Sequence, residues 1–393
     1  MTVDAAARLA AARGSRWTRW RMTAGLGLRM MVHDRAKFVG TTLGVVFAVV
    51  LASQQLGMLG GLLAKNTMLV DHGGADLWVV PRGTTLVQPG QRMPTQVLYT
   101  TRGTPGVAVA SPLVMTASAV QRPGGGAEAI TLIGFDPDAP LGGPWNVVAG
   151  DVAALRRRGA LFFEDSQRER MGGLNLGSVR EVQGRRVRVA GFTWGLMPFG
   201  APYTFGSVDT VRELAGMPEG RLNFVLVRVA PLADVEEVQA ELQRRLPGAV
   251  VYTADQLHGR VVDTLLGMQL GVVFGTTTAF ALVIGFVIVA LTMFSAVLDN
   301  LRELATLKAL GLSSGDLTRL VVVQAIAQAL LGSLIGLGLT AYVVDLIRSA
   351  NLAVIVSPTL VVATPPVMAA LCVAASLLAL RRVRRLDPAS VFR

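Results

Sequence analysis

The sequence is poor in residue types on which many enzymes and metal sites depend. It has one cysteine and three histidines among 393 residues. His33, His72 and His258 are far apart, and Cys372 lies inside an apolar run, so no pair has the spacing of a zinc site. A single cysteine also excludes an internal disulfide, so a domain outside the membrane must be held by its own core. We expect no metal and no cofactor.

Only three of the 37 Lys and Arg residues are lysines. The three lysines, Lys37, Lys65 and Lys308, each follow alanine or leucine and never glycine. A phosphate-binding P-loop needs a Gly-Lys-Ser/Thr sequence, because its lysine reaches the β- and γ-phosphates. We therefore expect that this chain does not hydrolyse ATP and is not an enzyme.

Two further patterns point only weakly to catalysis. Residues 311–315 fit the G-x-S-x-G pattern of a nucleophile elbow, but a charged helical stretch precedes them and no histidine follows His258. The carboxylates Asp136 and Asp138, and the acidic cluster at 234–237, fit loops and solvated helix faces better than acid–base pairs.

Charged residues make up only 16% of the chain and are absent from four long stretches. About 20 apolar residues span a bilayer as a helix, so each stretch is long enough. No stretch has an ionisable residue at its centre, which argues against a proton or ion pathway. The uncharged stretches are 38–64, 264–298, 320–344 and 349–380.

The net charge of +11 is concentrated beside these stretches. Residues 65–265 carry 20 basic and 19 acidic residues, so almost all of the excess flanks the predicted spans. Basic clusters next to apolar runs indicate anionic lipid and the positive-inside bias rather than nucleic acid. We expect both termini to be cytoplasmic, in a multi-pass protein of the inner (plasma) membrane, with no nucleic-acid partner.

The predicted fold class is a membrane α-helical protein with four transmembrane helices, split one plus three, and a large external mixed α/β domain between spans one and two. The predicted segments are a basic tail and amphipathic helix (1–37), span one (38–64), the external domain (65–265), span two (266–298), a cytoplasmic elbow (299–319), span three (320–346), an external turn (347–359), span four (360–380) and a basic tail (381–393).

Short β-rich runs alternate with turn residues in the external domain. A hairpin is predicted around Gly184, and Pro123–Gly126 is predicted as a loop tip. Helical spacing from Val235 to Leu246, followed by a strand at 250–252, predicts a βαβ-like unit. The other predicted strands are 76–80, 130–134, 160–163 and 224–227.

The cytoplasmic elbow has the pattern of two helices joined by a short break. One helical stripe is formed by Leu301, Leu304, Leu307 or Ala309, and Leu310, and Gly311 follows as a left-handed C-terminal cap. Ser313 or Ser314 then starts a new helix, with Asp316 as the capping-box partner of Ser313. A rigid elbow and a simple tight turn both fit. The candidate coupling residues are Arg302, Glu303, Leu304, Leu307, Lys308, Leu310, Gly311, Ser313 and Asp316.

The run RELATLKALG at 302–311 resembles the R-E-x-x-x-L-(R/K)-A-x-G stretch of the FtsX/MacB-like ABC transporter permeases. The final residues 387–393 resemble that family's D-P-x-x-x-x-R ending. The resemblance implies a permease dimer with separate ATP-binding subunits that dock at 302–316. It also implies a periplasmic adaptor (membrane fusion) protein and an outer-membrane duct in some members.

Within that family, the external domain resembles the DevC-type permeases of heterocyst glycolipid export. The residues that carry this likeness are 75–80, 142–145, 184–193 and 202–205. The implied function is export of a lipid, glycolipid or other hydrophobic substrate. Two alternatives stay open: an FtsX-like complex that activates an external enzyme, and extraction of lipoproteins from the membrane.

Small residues four apart in the spans indicate close helix packing, within one chain or between two copies. Residues 17–31 fit an amphipathic helix on the inner leaflet, or a disordered basic tail. The candidate packing residues are Gly40, Gly44, Gly57, Gly61, Gly267, Gly271 and Gly275.

Overall fold

The computed structural model describes residues 25, 35–139, 141–198, 200–299, 313–347 and 354–384. These residues form two compact units. Residues 61–271 make up the external unit, and the other described residues make up the membrane unit. The predicted amphipathic helix at 17–31 and both basic tails lie almost wholly outside the described residues.

Eight α-helices and twelve strands are found in the described residues. The helices are α1 (Arg35–His72), α2 (Gln96–Arg102), α3 (Val208–Leu214), α4 (Val235–Arg245), α5 (Ala254–Leu265), α6 (Gly271–Asp299), α7 (Ser314–Ile347) and α8 (Pro358–Arg384). The strands are β1 (Leu77–Pro81), β2 (Met93–Pro94), β3 (Val107–Gln121), β4 (Ala127–Phe135), β5 (Val147–Gly150), β6 (Ala160–Glu164), β7 (Val179–Val182), β8 (Arg185–Thr193), β9 (Tyr203–Ser207), β10 (Arg221–Leu222), β11 (Phe224–Val229) and β12 (Ala249–Thr253).

Within the described residues, four helical segments are long and apolar enough to cross a membrane. The mixed α/β domain lies between the first and the second of them, so the predicted fold class is confirmed. The four segments are Phe38–His72, Ala254–Thr292, Thr318–Leu346 and Pro358–Leu378.

The main sheet of the external unit has the strand order β12-β1-β11-β3-β4-β9-β6-β8-β5. The first half of the long strand β3 pairs with β11, and its second half pairs with β4. Strand β7 pairs with both β3 and β8, which closes β3, β4, β9, β6, β8 and β7 into a ring. A closed ring removes exposed edges, which leaves β12 and β5 as the ends of the sheet.

Strand β1 explains why the run at 77–80 is apolar without alternation. Leu77 and Val79 belong to one buried cluster, which includes Val238 of α4. Trp78 and Val80 belong to a second cluster, which includes Leu257 and Val261 of α5. Successive strand residues face opposite sides, so a strand covered on both faces has to be apolar throughout.

The predicted βαβ-like unit is present as β11, α4 and β12, with β1 lying between the two strands and antiparallel to both. Asp234 caps α4 by accepting hydrogen bonds from the backbone N–H groups of Glu236 and Glu237. Thr253, the last residue of β12, forms a capping box with Gln256. The strand therefore passes into α5 with no linker.

Both predicted turns of the external domain are found. Gly184 has a φ of +74° between β7 and β8, which is a left-handed conformation that favours glycine. The loop tip at 123–126 joins β3 to β4, and the backbone N–H of Gly125 donates to the Arg122 carbonyl.

Span one packs closely against its neighbours within the membrane unit. A Cβ built at Gly44 would lie 2.5 Å from Ile288 Cγ2, and one built at Gly285 would overlap the Ala48 side chain. Such contacts are what small residues permit between membrane helices. The sequence analysis named Gly44 and missed Gly285.

Span three also packs closely against span one through glycines. A Cβ at Gly332 would lie 2.5 Å from Val45 Cγ1, and a Cβ at Gly336 would lie 2.7 Å from Val49 Cγ1. These two glycines are four residues apart, and the valines they meet are also four apart. Gly332 and Gly336 are not among the packing residues predicted from the sequence.

The other predicted packing glycines divide into two groups. Gly57 is packed within the chain, because the backbone N–H of Ile355 donates to its carbonyl at 3.0 Å. A Cβ at Gly271 would lie 2.6 Å from the Leu266 carbonyl oxygen, while Gly61 is buried. A Cβ at Gly40, Gly267 or Gly275 would meet no atom within 4 Å.

The path from α5 to α6 is interrupted by a π-helical turn at Leu266–Leu270. Gln269 has a φ of +62°, which is unusual for a residue that carries a side chain. Sequence analysis did not predict this break, although it placed the start of span two at residue 266.

Candidate coupling site

The predicted cytoplasmic elbow lies mostly outside the described residues. Arg302, Glu303, Leu304, Leu307, Lys308, Leu310 and Gly311 are all among the undescribed positions 300–312. The structure describes the elbow from residue 313 onward, where α7 begins.

The capping box predicted at this helix start is present. The backbone N–H of Asp316 donates to Ser313 Oγ at 3.2 Å, and the backbone N–H of Ser313 donates to Asp316 Oδ2 at 3.2 Å. The Ser313 hydroxyl also donates to Asp316 Oδ2 at 2.6 Å. This reciprocal pattern satisfies helix-start amides and fixes where the helix begins. Ser313 is thus a helix cap whose hydroxyl is engaged by a carboxylate.

A second candidate for coupling is the outer end of α1, where the helix contacts the external domain. The Lys65 ammonium group donates to the Gly195 carbonyl. Next to this contact, the buried carboxylate of Glu164 accepts hydrogen bonds from the backbone N–H groups of Gly195 at 2.7 Å and Leu196 at 2.9 Å.

Glu164 receives two further hydroxyl contacts, from Ser166 at 3.0 Å and from Thr193 at 3.4 Å. A buried carboxylate is tolerated only when its oxygens are well supplied with donors or paired with a cation. Glu164 therefore fixes the 193–196 backbone, and that backbone in turn holds Lys65.

The last turn of α1 makes a second contact with the domain through aromatic rings. The His72 ring stacks on Trp145, with centroids 5.1 Å apart and planes 4° apart. Trp145 also meets Phe205 edge-on, at 5.8 Å between centroids. The backbone N–H of Gly142 donates to the Gly73 carbonyl at 2.8 Å, so residues 142–145 lie against the end of the helix.

The outer end of α1 is also tied to α5. Asp71 Oδ1 and His258 Nδ1 are 2.7 Å apart, and the Thr67 hydroxyl donates to the other oxygen of Asp71 at 2.8 Å. The helix that leaves span one and the helix that leads into span two are thus joined by a polar contact within the external unit.

The residues that carried the subfamily likeness have structural roles. Residues 75–80 include most of the doubly buried strand β1, and 184–193 contain the hairpin turn and β8. The segment 202–205 leads into the fully buried strand β9, where burial raises the pKa of Tyr203 above its usual range.

Three of the carboxylates considered as acid–base candidates make structural contacts. Asp136 Oδ1 accepts from the Asp138 backbone N–H at 3.0 Å, and the Asp138 side chain pairs with Arg156 at 2.8 Å. Asp234 is the cap of α4. Among the described residues, no group of three or more His, Cys, Asp or Glu side chains is placed to hold a metal.

The membrane unit contains a cavity of about 350 Å³ between spans one, two and four. Its walls are mainly aliphatic, with four hydroxyl side chains among them. The lining includes Val49, Ala52 and Leu56 of span one, Thr278 and Leu282 of span two, and Ser357, Thr359, Leu360, Thr364, Val367 and Met368 around span four.

Comparison with known families agrees with this architecture. The MacB-like periplasmic core domain matches residues 38–245, which is more than half of the chain, and the FtsX-like permease C-terminal domain matches residues 275–388. This chain is an ABC transporter permease of the MacB/FtsX type. Permeases of this type are the membrane subunits of ABC transporters and imply a separate ATP-binding subunit.

Similar proteins support the assignment along most of the permease. An uncharacterized ABC transporter permease of Mycobacterium tuberculosis H37Rv is 26% identical over 352 residues, covering 89% of this chain and 93% of the relative. One from Methanocaldococcus jannaschii is 28% identical over 186 residues, which is 45% of each chain.

Two solved structures are similar to the external part of the permease. The periplasmic region of MacB from Actinobacillus actinomycetemcomitans covers 48% of this chain and 93% of its own, with 10% identity and a TM-score of 0.36. The extracellular domain of the transporter YknZ from Gram-positive bacteria covers 45% and 99%, with 13% identity and a TM-score of 0.34.

The contacts at the outer end of α1 were missed by sequence analysis. The sequence predicts no contact for Lys65, Glu164 or Trp145, and Lys65 enters the sequence argument only because it does not follow a glycine. The one available signal was that Lys65 ends the uncharged run at 38–64, which marks it as a boundary residue.

Proposed function

We propose that this permease is the transmembrane subunit of an ATP-driven exporter in the inner membrane, with both termini in the cytoplasm. Separate ATP-binding subunits dock at the 302–316 elbow, and two copies of the permease form the transporter. The stroke passes along the spans to the external domain, which moves a lipid, glycolipid or other hydrophobic substrate outward.

The observation that supports this proposal is the set of contacts between the outer end of α1 and the external domain. The helix end is held by Lys65 on the Gly195 carbonyl, by His72 on Trp145, and by Asp71 on His258. Three contacts of different chemistry along two turns of helix resist sliding and rotation of the helix end. A displacement of this helix end is then passed on to the segments that it contacts, which follow β8, precede β5 and form α5.

The hydrophobic class of substrate is supported by the cavity in the membrane unit. Its aliphatic lining suits an acyl or isoprenoid chain, and its hydroxyls offer a few hydrogen bonds to a polar group. The likeness to DevC-type permeases favours the same class. A periplasmic adaptor and an outer-membrane duct belong to that likeness and form part of the proposal.

The elbow is tested by co-expressing the permease with its ATP-binding subunit and measuring co-purification, ATPase activity and export. Leu307→Asp places a charge on the apolar stripe, and Gly311→Val strains the cap, at a cost of about 1 kcal/mol or more if Gly311 adopts positive φ. Both variants should insert normally yet lose partner binding or uncouple ATP hydrolysis from export.

Thr306→Asp is the matched control, because it adds the same charge at the neighbouring position, which in a helix points about 100° away from Leu307. Full partner binding and full export by both Leu307→Asp and Gly311→Val would overturn the elbow as the coupling site.

Cargo is identified by mass spectrometry of lipids that co-purify with the complex. A complex that hydrolyses ATP, carries no lipid and instead activates a cell-wall hydrolase would favour the regulatory alternative over export.

A further inference from the structure

An exposed apolar patch lies at one end of the sheet in the external unit. Trp194 is 45% exposed, and Val148 of the edge strand β5 is 54% exposed, with Val147 beside it at 37%. The backbone N–H of Trp194 donates to the Asn146 carbonyl at 3.0 Å, so the two segments are adjacent. We call Trp194, Val147 and Val148 the Trp194 patch.

The patch is built on a firmly held backbone. Gly195 and Leu196, which follow Trp194, donate to the buried Glu164. The Leu196 side chain is itself buried, and its carbonyl accepts from the backbone N–H of Tyr203 at 2.9 Å. The exposed indole is therefore held on a fixed backbone and does not belong to a loose loop.

The sequence around the patch lacks charge. Residues 189–208 contain no Asp, Glu, Lys or Arg, and neither does β5. Exposed edge strands of soluble domains commonly carry charges, which keep them from pairing with other chains. An uncharged edge with an exposed tryptophan and two valines indicates a surface that is covered in the working protein.

The contact of Lys65 with Gly195 shows where along α1 the Trp194 patch lies. The uncharged run at 38–64 is 27 residues long, which as a helix spans about 40 Å. A bilayer measures about 40–45 Å including its headgroup regions. Lys65 therefore lies at the outer headgroup level, and the residue next to Trp194 is bonded to it.

From these placements we infer that the Trp194 patch rests on the outer leaflet of the membrane, with the indole among the lipid headgroups. Tryptophan is enriched at this depth because its ring is apolar and its N–H is polar. The exposed valines add apolar area to the surface that meets the lipid. The external domain is thereby held on the lipid surface at a point separate from its covalent connections to the spans.

The test uses the full-length permease in vesicles of phosphatidylethanolamine and phosphatidylglycerol, on a Cys372→Ala background. Trp194→Cys is labelled with the polarity-sensitive dye NBD, and its quenching is compared for headgroup spin-labelled lipid and for a water-soluble nickel complex. We expect blue-shifted emission and loss of fluorescence with the spin-labelled lipid. Gly124→Cys is the solvent control, since it lies at the β3–β4 tip with no atom within 4 Å of its Cβ, and it should be quenched by nickel.

A second probe keeps the tryptophan in place. Val148→Cys carrying NBD should lose its lipid quenching when Trp194→Asp is added and keep it when Trp194→Phe is added. Quenching at position 194 by nickel alone would overturn the inference. Disulfide cross-linking of the Trp194→Cys variant between two copies, without lipid quenching, would also overturn it and would assign the patch to a subunit interface.

Discussion

His72 and Trp145 stack face to face, 73 residues apart in the chain, at the point where the first membrane helix meets the external domain. This stack places the Gly142–Trp145 segment against the end of α1. Its two glycines are needed for packing, because a Cβ at Gly142 would lie 2.7 Å from Leu113 Cδ1 and a Cβ at Gly143 would lie 2.9 Å from Phe135 Cε2.

Trp145→Ala should loosen the end of α1. Beyond the lost buried area, the aromatic contacts of such a ring contribute about 0.5–1.5 kcal/mol per pair. Hydrogen exchange of the full-length permease should therefore rise at residues 68–73. Trp145→Phe keeps a ring and should raise it less. Unchanged exchange in the alanine variant would mean that the stack does not hold the helix.

Glu164→Ala should destabilise the external domain. The substitution leaves the backbone N–H groups of Gly195 and Leu196 without their acceptor, and a buried unsatisfied group costs about 1–3 kcal/mol. The thermal unfolding midpoint of the purified permease should fall. Glu169→Ala, at a nearby exposed position, is the control and should change stability by less than about 0.5 kcal/mol.

Gly336→Val should impair the assembly of the membrane unit. The added side chain meets Val49 of span one, and overpacking of this kind costs about 1–3 kcal/mol. Gly338→Val adds the same side chain two residues along α7, where a Cβ meets nothing within 4 Å. Resistance to proteolysis in detergent should drop for Gly336→Val alone, and equal behaviour of the two variants would contradict the close contact.

The proposed topology predicts which cysteines can be labelled from each side. On the Cys372→Ala background, a cysteine at Gly150 or elsewhere in 65–265 and 349–359 should react from outside, whereas one at either terminus or in 299–319 should react only from the cytoplasm. Labelling of position 150 only after reagent is admitted to the cytoplasm would reverse the assignment.

The purified permease should neither bind nor hydrolyse ATP without its partner subunit. The physical reason is that none of its three lysines follows a glycine, so no P-loop can form. Titration of a fluorescent ATP analogue should show no saturable binding in the micromolar range. Binding that survives removal of every co-purified protein would disprove this prediction.

Local patterns predicted much of the fold. Short β-rich apolar segments flanked by turn residues or charge favour strands over other secondary structure. Strands therefore form at the predicted runs 76–80, 130–134, 160–163 and 224–227. The hairpin at Gly184 and the capping box at Ser313 were predictable for the same reason, since each depends on residues only a few positions apart.

The contacts that make up the candidate coupling site could not be predicted, because they join distant residues. Lys65 is 130 residues from Gly195, and His258 is 187 residues from Asp71. The break at Gln269 gave no signal either, since a residue with a side chain takes the positive φ while the nearby glycines at 267 and 271 do not. Only the three-dimensional packing decides which residue bears the strain.

The pairing of β1 with β12 has a consequence for how the external domain can change. The chain enters the domain through β1 and leaves it through β12, and these strands are hydrogen-bonded neighbours from Leu77↔Thr253 to Pro81↔Ala249. Residues 82–248 are therefore one long insertion between β1 and β12, and its two ends are held together by the pairing of these strands. A segment of another size or shape could be inserted between the same two strands. The distance between α1 and α5, the helices that lead to the membrane, would not change.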